Sequence, residues 1–370
     1  MLQQRRKNLE SRAEQSRAEQ SRAEQSRAEQ SRAEQSRAEQ SRAERIEWID
    51  EAKGIGIVLV MLGHCYLHWK FCFWFYAFHM PLFFTLSGYT FSGKGKFADY
   101  LKKKARTLLV PYIFFVIITM CCNGALAVTH GNEYHVFETL KLYIVQNRYT
   151  LLWFIPCLFL ANLLMYVLQS FRYKRKTNRF WLIVGCIGAL VFGIYRVIIG
   201  KDLPWNADLA ILAMAFMSLG KWCREQKIIE KVRLMRYSLA ICIIITFCVS
   251  AVNYIYFDRV DLYSDAFGNP ILFMTAALTG TLAVVLISMM TDNRILIELG
   301  KNSLIYYGLH RIIIDLMFVV YGKMGIQIDN ASWSAVGFAI ISVFVAIVIL
   351  TPVKYLVLKY IPWCLGKKKG

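Results

Sequence analysis

From residue 46 onward the chain alternates long apolar runs with short polar segments, and this alternation is typical of a protein that crosses a membrane repeatedly. Each run has about 15 to 22 residues, close to the length that a helix needs to span the hydrocarbon core. We therefore predict an all-α polytopic membrane protein with about ten transmembrane helices. The predicted spans are 54–68, 72–92, 107–128, 151–171, 180–199, 205–222, 237–256, 271–290, 303–322 and 333–353.

The segment before these runs has a different pattern. Residues 11–44 contain six copies of Ser-Arg-Ala-Glu-Gln and a truncated seventh. A period of five residues advances about 140° around a helix, so it produces no continuous apolar stripe. We predict a low-complexity arm over 1–45, helical or disordered, and an integral membrane domain over 46–370. Because about 45 polar residues precede the first apolar run, no signal peptide is expected.

Composition agrees with a membrane protein and explains the basic charge. Hydrophobic residues make up 56% of the chain and charged residues 19%, against about 45–50% and 25% in soluble domains. Lys and Arg outnumber Asp and Glu by 44 to 25. The loops on one side of the ten spans hold 22 Lys and Arg, and the alternate loops hold 6. The positive-inside rule then predicts that both termini are cytoplasmic. The excess of basic residues therefore indicates how the protein is oriented in the membrane, and no nucleic acid partner is expected.

Neither the spacing of the cysteines nor any common nucleotide-binding or hydrolase motif indicates a metal site or a soluble enzyme. The ten cysteines lie mostly inside apolar runs and lack the Cys-x2-Cys spacing of zinc sites. A metal alternative, with His64, Cys65 and His68 as ligands, has no nearby carboxylate. The sequence also lacks a Walker loop, a Gly-x-Gly-x-x-Gly fingerprint and a Gly-x-Ser-x-Gly elbow. We therefore predict that no metal is bound.

Ionisable groups inside apolar runs are the candidates for chemistry, because they are costly in hydrocarbon. Lys53 and His64 lie 11 residues apart in the first span, close to three helical turns, so they share one face. In the ninth span His310 lies nine residues beyond Lys301, at a depth that matches His64. The alternative is that Lys53 snorkels to the surface and that a neighbouring helix satisfies His64.

The second span adds His79 and Ser87 on either side of Pro81, which is expected to loosen the helix. A buried structural histidine is the simpler interpretation of His79. Arg311 and Asp315 have i,i+4 spacing and are predicted to form a structural ion pair. The predicted substrate pocket comprises His79, Ser87, Trp153, Ser303, Tyr306 and His310.

A basic segment, Lys102-Lys103-Lys104-Ala-Arg106, follows the second span. Four cations at a helix entrance suit lipid headgroups. They equally suit a phosphorylated cofactor, to which arginine offers bidentate contacts. The sequence of this segment therefore does not decide between lipid headgroups and a phosphorylated cofactor.

Taken together, these segments resemble the acyltransferase-3 family of bacterial membrane O-acyltransferases, especially its fucose-4-O-acetylase-like group. The resemblance covers residues 46 to about 320 in order, and ten spans is the family's count. The matching motifs are Asp50-x-x-Lys53-Gly through Gly63-His64, Phe78-His79-Met-Pro-Leu-Phe-Phe-x-x-Ser87-Gly88-Tyr89, Lys103-x-x-Arg106 with Pro111-Tyr112, Leu152-Trp153-Phe154, Pro204-Trp-x-x-Asp208 with Gly220, Gly268-Asn269-Pro270, and Asn302-Ser303 with His310.

The resemblance implies transfer of an acyl group, usually acetyl, from cytoplasmic acetyl-CoA or another acyl-CoA to a hydroxyl of an envelope glycan. It implies a multi-pass protein of the bacterial cytoplasmic (inner) membrane whose catalytic residues are His64 and Lys53. Lys53 stands where many members have Arg, and Lys103 with Arg106 stands where an Arg-x-x-Arg pair is common. Lys103 and Arg106 are the expected CoA-binding pair. No appended extracellular hydrolase-like domain is expected.

Two mechanisms follow from an imidazole at position 64. A neutral ring acts as general base for the acceptor hydroxyl, or it carries the acyl group as an acyl-imidazole. We favour the general base. The rival function is a glycan or organic-acid exporter without acyl transfer, which also needs polar groups at mid-membrane. A purely structural membrane protein is the third interpretation.

Overall fold

The computed structural model describes residues 47–367 apart from 130, 147, 149 and 175–177, and Ile49–Gly370 form one compact unit. The predicted repeat arm over 1–45 lies outside the described residues. Fifteen α-helices and no β-strand occur in the described part of the chain. The first seven are α1 (47–63), α2 (Trp69–Tyr76), α3 (His79–Tyr89), α4 (Phe97–Lys104), α5 (Val110–Thr129), α6 (Val136–Val145) and α7 (Phe154–Lys174). The others are α8 (Phe180–Ile198), α9 (Ala207–Glu225), α10 (Ile228–Arg233), α11 (Ser238–Tyr256), α12 (Pro270–Ser288), α13 (Arg294–Lys301), α14 (Ser303–Lys323) and α15 (Trp333–Tyr360).

The prediction of an all-α polytopic membrane protein is confirmed. Among the described residues, eight helical segments are long and apolar enough to cross a bilayer. These segments are Trp69–Tyr89, Phe97–Thr129, Leu151–Arg172, Phe180–Ile198, Ser238–Tyr256, Pro270–Ser288, Ser303–Lys323 and Trp333–Tyr360. The count of ten spans and the cytoplasmic placement of both termini stay predictions.

The two remaining predicted spans, which correspond to α1 and α9, lie inside the bundle. Helix α1 is shorter than the roughly 20 residues of a typical span. Helix α9 carries charges at both ends, but eleven of its residues between Asp208 and Gly220 are buried against other helices. Because α9 contacts α3, α7 and α8 along its length, it needs fewer apolar residues than a helix that faces lipid.

Pro81 explains why the second predicted span is two helices. Proline has no N–H, and its ring clashes with the carbonyl four residues earlier, which here belongs to Ala77. Helix α2 ends at Tyr76 and α3 begins at His79, so the helix breaks at that carbonyl. The break places His79 at the start of α3, where the histidine side chain points into the bundle.

Glycines let two pairs of helices approach closely. A Cβ on Gly88 of α3 would lie 1.9 Å from the Met217 carbonyl oxygen of α9, and one on Gly220 of α9 would lie 2.0 Å from the Thr85 carbonyl oxygen of α3. Helices α1 and α13 meet in the same way at Gly54 and Gly300. Small residues are the usual means by which membrane helices reach backbone contact.

A buried ion pair joins α15 to α13. The Lys354 side chain is fully buried, and its ammonium donates to Glu298 at 2.6 Å. Glu298 also accepts from the side-chain amide of Asn302 at 3.0 Å, just before α14 begins. These bonds hold the turn between α13 and α14, which borders the cavity described next.

Candidate active site

Two histidines meet inside the bundle, as their predicted depths suggested. The ring of His64 follows the last turn of α1, and the ring of His310 lies on α14, with centroids 5.2 Å apart. His310 is fully buried, and His64 is half-buried. The electrostatic neighbours of the His64 ring are His310, Arg311 and His79. The structure therefore brings together three of the predicted site residues.

The hydrogen bonds of His310 leave one ring nitrogen available. Its Nδ1 lies 3.0 Å from the carbonyl oxygen of Tyr306 and 2.9 Å from that of Tyr307, so Nδ1–H donates to them. Its Nε2 then carries a lone pair, and within the described residues this buried atom has no hydrogen-bond partner. A buried acceptor without a partner is uncommon and suits a group that meets a substrate.

A cavity of about 270 Å³ leads toward the two rings from one end of the bundle. Its outer part is bordered by Lys53, Ser87 and Thr90 together with Lys301 and Ser303. We call this end of the bundle the basic end and the cavity the donor cavity. The inner part of its wall is formed by Val60, Met80, Phe83, Phe154, Leu158, Leu304 and Tyr307.

The donor cavity stops about one helical turn short of the histidines. Val60 precedes His64 by four residues on α1, and Tyr307 precedes His310 by three residues on α14. Met80, which has an unbranched and flexible side chain, is part of the same wall. These wall side chains separate the cavity from the two rings.

The mouth of the donor cavity continues into a basic depression. A second cavity of about 240 Å³ shares Ser87 and Thr90 with the first and adds Lys94, Lys103 and Lys104. Lys103 therefore borders the continuous opening. Arg106 is exposed on a π-helical turn, Ala105–Leu109, and is not part of either lining.

Lys53 lies at the mouth of the donor cavity and away from the histidine pair. Its ammonium forms an ion pair with Asp50 at 3.1 Å, and 31% of its side chain is exposed. Eleven residues of helix separate it from His64, about 16 Å. At that distance Lys53 is placed to bind a ligand and does not touch atoms that react at His64.

The other predicted pocket residues divide into two groups. Ser87 and Ser303 border the donor cavity. Trp153 and Tyr306 are buried elsewhere, and the Tyr306 hydroxyl lies 3.1 Å from Thr351 on α15. Their chain neighbours Phe154 and Tyr307 border the cavity instead. The sequence around residues 153–154 and 306–307 does not show which of two neighbouring residues borders the cavity, because every position there is apolar or aromatic.

His79 has a well-defined buried environment. Its Nδ1–H donates to the Phe75 carbonyl at 3.0 Å, and its ring contacts that of Tyr76 at 4.9 Å. The Tyr76 hydroxyl in turn donates to the Gly63 carbonyl at 2.7 Å. His79 therefore supports the turn that holds His64.

The histidine–cysteine metal alternative is not assembled by the fold. The Cys65 thiol donates to the carbonyls of Met61 and Ala339, and the Nδ1 of exposed His68 accepts from the Lys70 N–H. Within the described residues, the side chains close enough to share a metal ion are Asp202, Asp208 and Asp265. These three lie at the end of the bundle opposite the basic end.

Two arginines already form ion pairs with those aspartates. Arg148 and Arg196 each form ion pairs with all three carboxylates, and Asp208 is fully buried. We call these five residues the charge cluster. It borders a cavity of about 610 Å³, whose lining includes neither His64 nor His310. Guanidinium groups in the midst of the carboxylates disfavour a metal cation, so the cluster is an ion-pair network that ties loops together.

The charge cluster makes stability depend on pH. Burial, followed by the neighbouring Asp202, raises the pKa of Asp265 to about 7. The folded state then binds a proton that the unfolded state has lost, so this stabilisation is complete below about pH 4 and disappears as the pH rises through about 7. We expect the apparent melting temperature in detergent to fall between pH 5 and 8, and Asp265→Asn to reduce that slope. An unchanged slope in the variant would contradict this assignment.

Comparisons with known proteins match most of the chain. A family model described as "Acyltransferase domain" matches residues 46–351. The chain is 24% identical over 328 residues to the nodulation protein NolL of Mesorhizobium japonicum, which covers 80% of this chain and 85% of that protein. No solved structure matches.

Proposed function

Since the chain belongs to the acyltransferase-3 family, we propose that this multi-pass membrane acyltransferase moves an acetyl group from acetyl-CoA to a hydroxyl of an envelope polysaccharide or lipid-linked sugar. The observation that carries the proposal is the His64–His310 pair, which lies one turn beyond a cavity with a basic mouth. The proposal puts the protein in the bacterial cytoplasmic membrane with its basic end in the cytoplasm. Bound acyl-CoA, glycan and lipid are its proposed partners.

The donor cavity fits the two parts of an acyl-CoA. The phosphates of CoA are anionic and match the cations Lys94, Lys103, Lys104 and Lys301 around the opening. The pantetheine arm is thin and uncharged, so it can enter a cavity whose inner wall is apolar. In this arrangement the arm carries the thioester toward His64, while the nucleotide stays at the basic end.

The proposed chemistry is a general-base transfer. The acceptor oxygen bonds to the thioester carbonyl carbon while His64 takes the hydroxyl proton. The carbon–sulfur bond then breaks, and His64 returns the proton to the sulfur, which leaves as CoA thiol. Nε2 of His310, beside the His64 ring, is available to accept a hydrogen bond and hold the ring or the acceptor in place.

Lys53→Gln is expected to raise the KM for acyl-CoA about three- to tenfold and to leave kcat within about twofold. The reason is that Lys53 borders the donor cavity but lies three helical turns from His64. Steady-state kinetics with varied acyl-CoA measures both constants. Lys102→Gln, on exposed Lys102 outside both cavity linings, is the matched control. A fall in kcat with an unchanged KM would instead make Lys53 catalytic, as the sequence predicted.

Reconstituted transport and transfer assays test the proposal as a whole. Proteoliposomes receive radiolabelled acetyl-CoA on the basic side and an envelope glycan extract on the other. We expect label in the glycan fraction with wild type and none with His64→Gln. Glycan that crosses unmodified while acetyl-CoA is not consumed would overturn the proposal in favour of an exporter.

Incubation without acceptor separates the two histidine mechanisms. A general base leaves wild-type protein unlabelled by acetyl-CoA. Label that stays on wild-type protein, and is absent from His64→Ala, would show an acyl-imidazole instead.

A further inference from the structure

A polar group made by three residues lies directly beside the histidine pair. Arg311 Nε–H donates to Asp315 at 2.9 Å, as the i,i+4 spacing predicted, and the Tyr66 hydroxyl donates to Asp315 at 2.8 Å. Arg311 also contacts the Tyr66 hydroxyl, and its Nη1 lies 3.5 Å from the His64 carbonyl oxygen. Tyr66 and Arg311 thus connect to the backbone of His64, and Arg311 follows His310 in the chain. We call Tyr66, Arg311 and Asp315 the polar triad.

The triad is accessible at a depth where charge is costly. Arg311 and Asp315 lie 8 and 12 residues into the membrane-spanning helix α14, about 12 and 18 Å from its start. Their side chains are 33% and 44% exposed, and Tyr66 is 45% exposed. A charged pair that faced acyl chains at mid-membrane would be strongly unfavourable. An exposed ion pair at this depth is expected to face water and not acyl chains.

The triad lies on the other side of the histidines from the donor cavity. The donor cavity borders residues that precede His64 and His310, namely Val60 and Tyr307. The triad follows the histidines on both chain segments, with Tyr66 after His64 and with Arg311 and Asp315 after His310. The two histidines therefore lie between an approach that starts at the basic end and an approach that starts at the opposite end.

The backbone at Tyr66 supports a functional role. Its φ is 56°, in the left-handed region that non-glycine residues rarely adopt. Such a conformation costs about 1–3 kcal/mol and is found preferentially at binding and active sites. It turns the tyrosine toward Arg311, whose guanidinium lies 4.6 Å from the Tyr66 ring centroid.

The triad keeps hydrogen-bonding capacity for a ligand. The Asp315 carboxylate has four lone pairs, of which the internal contacts use at most three, and Arg311 keeps N–H groups beyond those it uses internally. A carboxylate and a guanidinium side by side next to an aromatic ring accept from and donate to adjacent hydroxyls. This combination matches a sugar ring better than an anion, which Asp315 would repel, or a cation, which Arg311 would repel.

We propose that the polar triad is the acceptor subsite, in which Asp315 and Arg311 hold ring hydroxyls of a sugar so that a neighbouring hydroxyl reaches His64. This inference rests on the proposed acyl transfer and assigns its acceptor side. It gives the donor and the acceptor separate routes to one imidazole.

The test compares Asp315→Asn and Tyr66→Phe with wild type in nanodiscs. Binding of a panel of methyl glycosides is measured without donor, and the acceptor KM is measured with acetyl-CoA present. We expect Asp315→Asn to weaken glycoside binding and raise the acceptor KM about tenfold or more, and Tyr66→Phe to do so by a smaller factor. The KM for acetyl-CoA should stay unchanged. Glu133→Gln, on a largely exposed carboxylate, is the control for the loss of one charge.

The two measurements keep the subsite and the proposed function apart. Glycoside binding that is equal in wild type and in both variants, with all proteins folded by their melting curves, would overturn the subsite. Weaker binding in Asp315→Asn supports it even if wild type fails to use acetyl-CoA, and that failure would overturn the proposed function instead. Arg311→Lys, which keeps the charge and removes the planar fork, should also weaken binding.

Discussion

His64→Gln is expected to lower kcat for acyl transfer about 10²–10⁴-fold, the usual contribution of a positioned general base. Glutamine preserves much of the volume and a polar end, but it takes up no proton. The donor cavity ends about one helical turn from His64, and the His64 ring is not part of its wall. The KM for acyl-CoA should therefore change little. The measurement is steady-state transfer of labelled acetyl to glycan in proteoliposomes.

The matched control for this substitution is His135→Gln. His135 is exposed in the segment before α6 and pairs only weakly with Glu133, at 3.8 Å. Its replacement should leave kcat unchanged. His310→Gln should lower kcat by a smaller factor than His64→Gln, because His310 contacts the ring that takes the proton. A His64→Gln protein that retained more than about a tenth of wild-type kcat would remove the histidine from the chemistry.

Gly88→Ala is expected to destabilise the protein by about 3 kcal/mol or more, the upper range for overpacking. The new methyl would lie 1.9 Å from the Met217 carbonyl oxygen and 2.4 Å from its carbonyl carbon. Backbone atoms cannot turn aside as a side chain does, so α3 and α9 must separate. With an unfolding entropy of about 2.1 cal/mol/K per residue and 370 residues, the apparent melting temperature should fall by about 4 °C.

Gly337→Ala provides the control for the same chemical change. Gly337 lies in α15 with nothing within 4 Å of its added methyl. Alanine is a better helix former than glycine by about 0.5–1 kcal/mol, so this variant should be as stable as wild type or slightly more so. Equal melting temperatures for Gly88→Ala and wild type in the same detergent would contradict the close α3–α9 packing.

Much of the architecture followed from apolar runs alone. The predicted span at 180–199 matches α8, and that at 303–322 matches α14 to within one residue. The predictions for loops were less accurate. The basic segment at 94–106, which lies between two predicted spans, is helical from Phe97 onward. Runs of lysine contribute no apolar stripe, yet they form helix readily when they extend a neighbouring span.

The histidine pair was predictable because burial of an ionisable residue is costly and so stands out in an apolar run. Which neighbour lines a cavity was not predictable, since it depends on the rotation of α7 and α14 about their own axes. One residue shifts a side chain by 100°, which exchanges Tyr306 for Tyr307 and Trp153 for Phe154. Contacts between distant segments, such as Arg148 with Asp265, carry no local signal either.

A structure of the protein with a non-hydrolysable acyl-CoA analogue tests most directly whether donor and acceptor meet at His64. We expect the nucleotide among the lysines of the basic end and the acyl carbonyl carbon within about 6 Å of the His64 ring, which leaves room for one acceptor oxygen between them. An analogue whose acyl group ended outside the donor cavity, or on the far side of α3 from both histidines, would contradict the account.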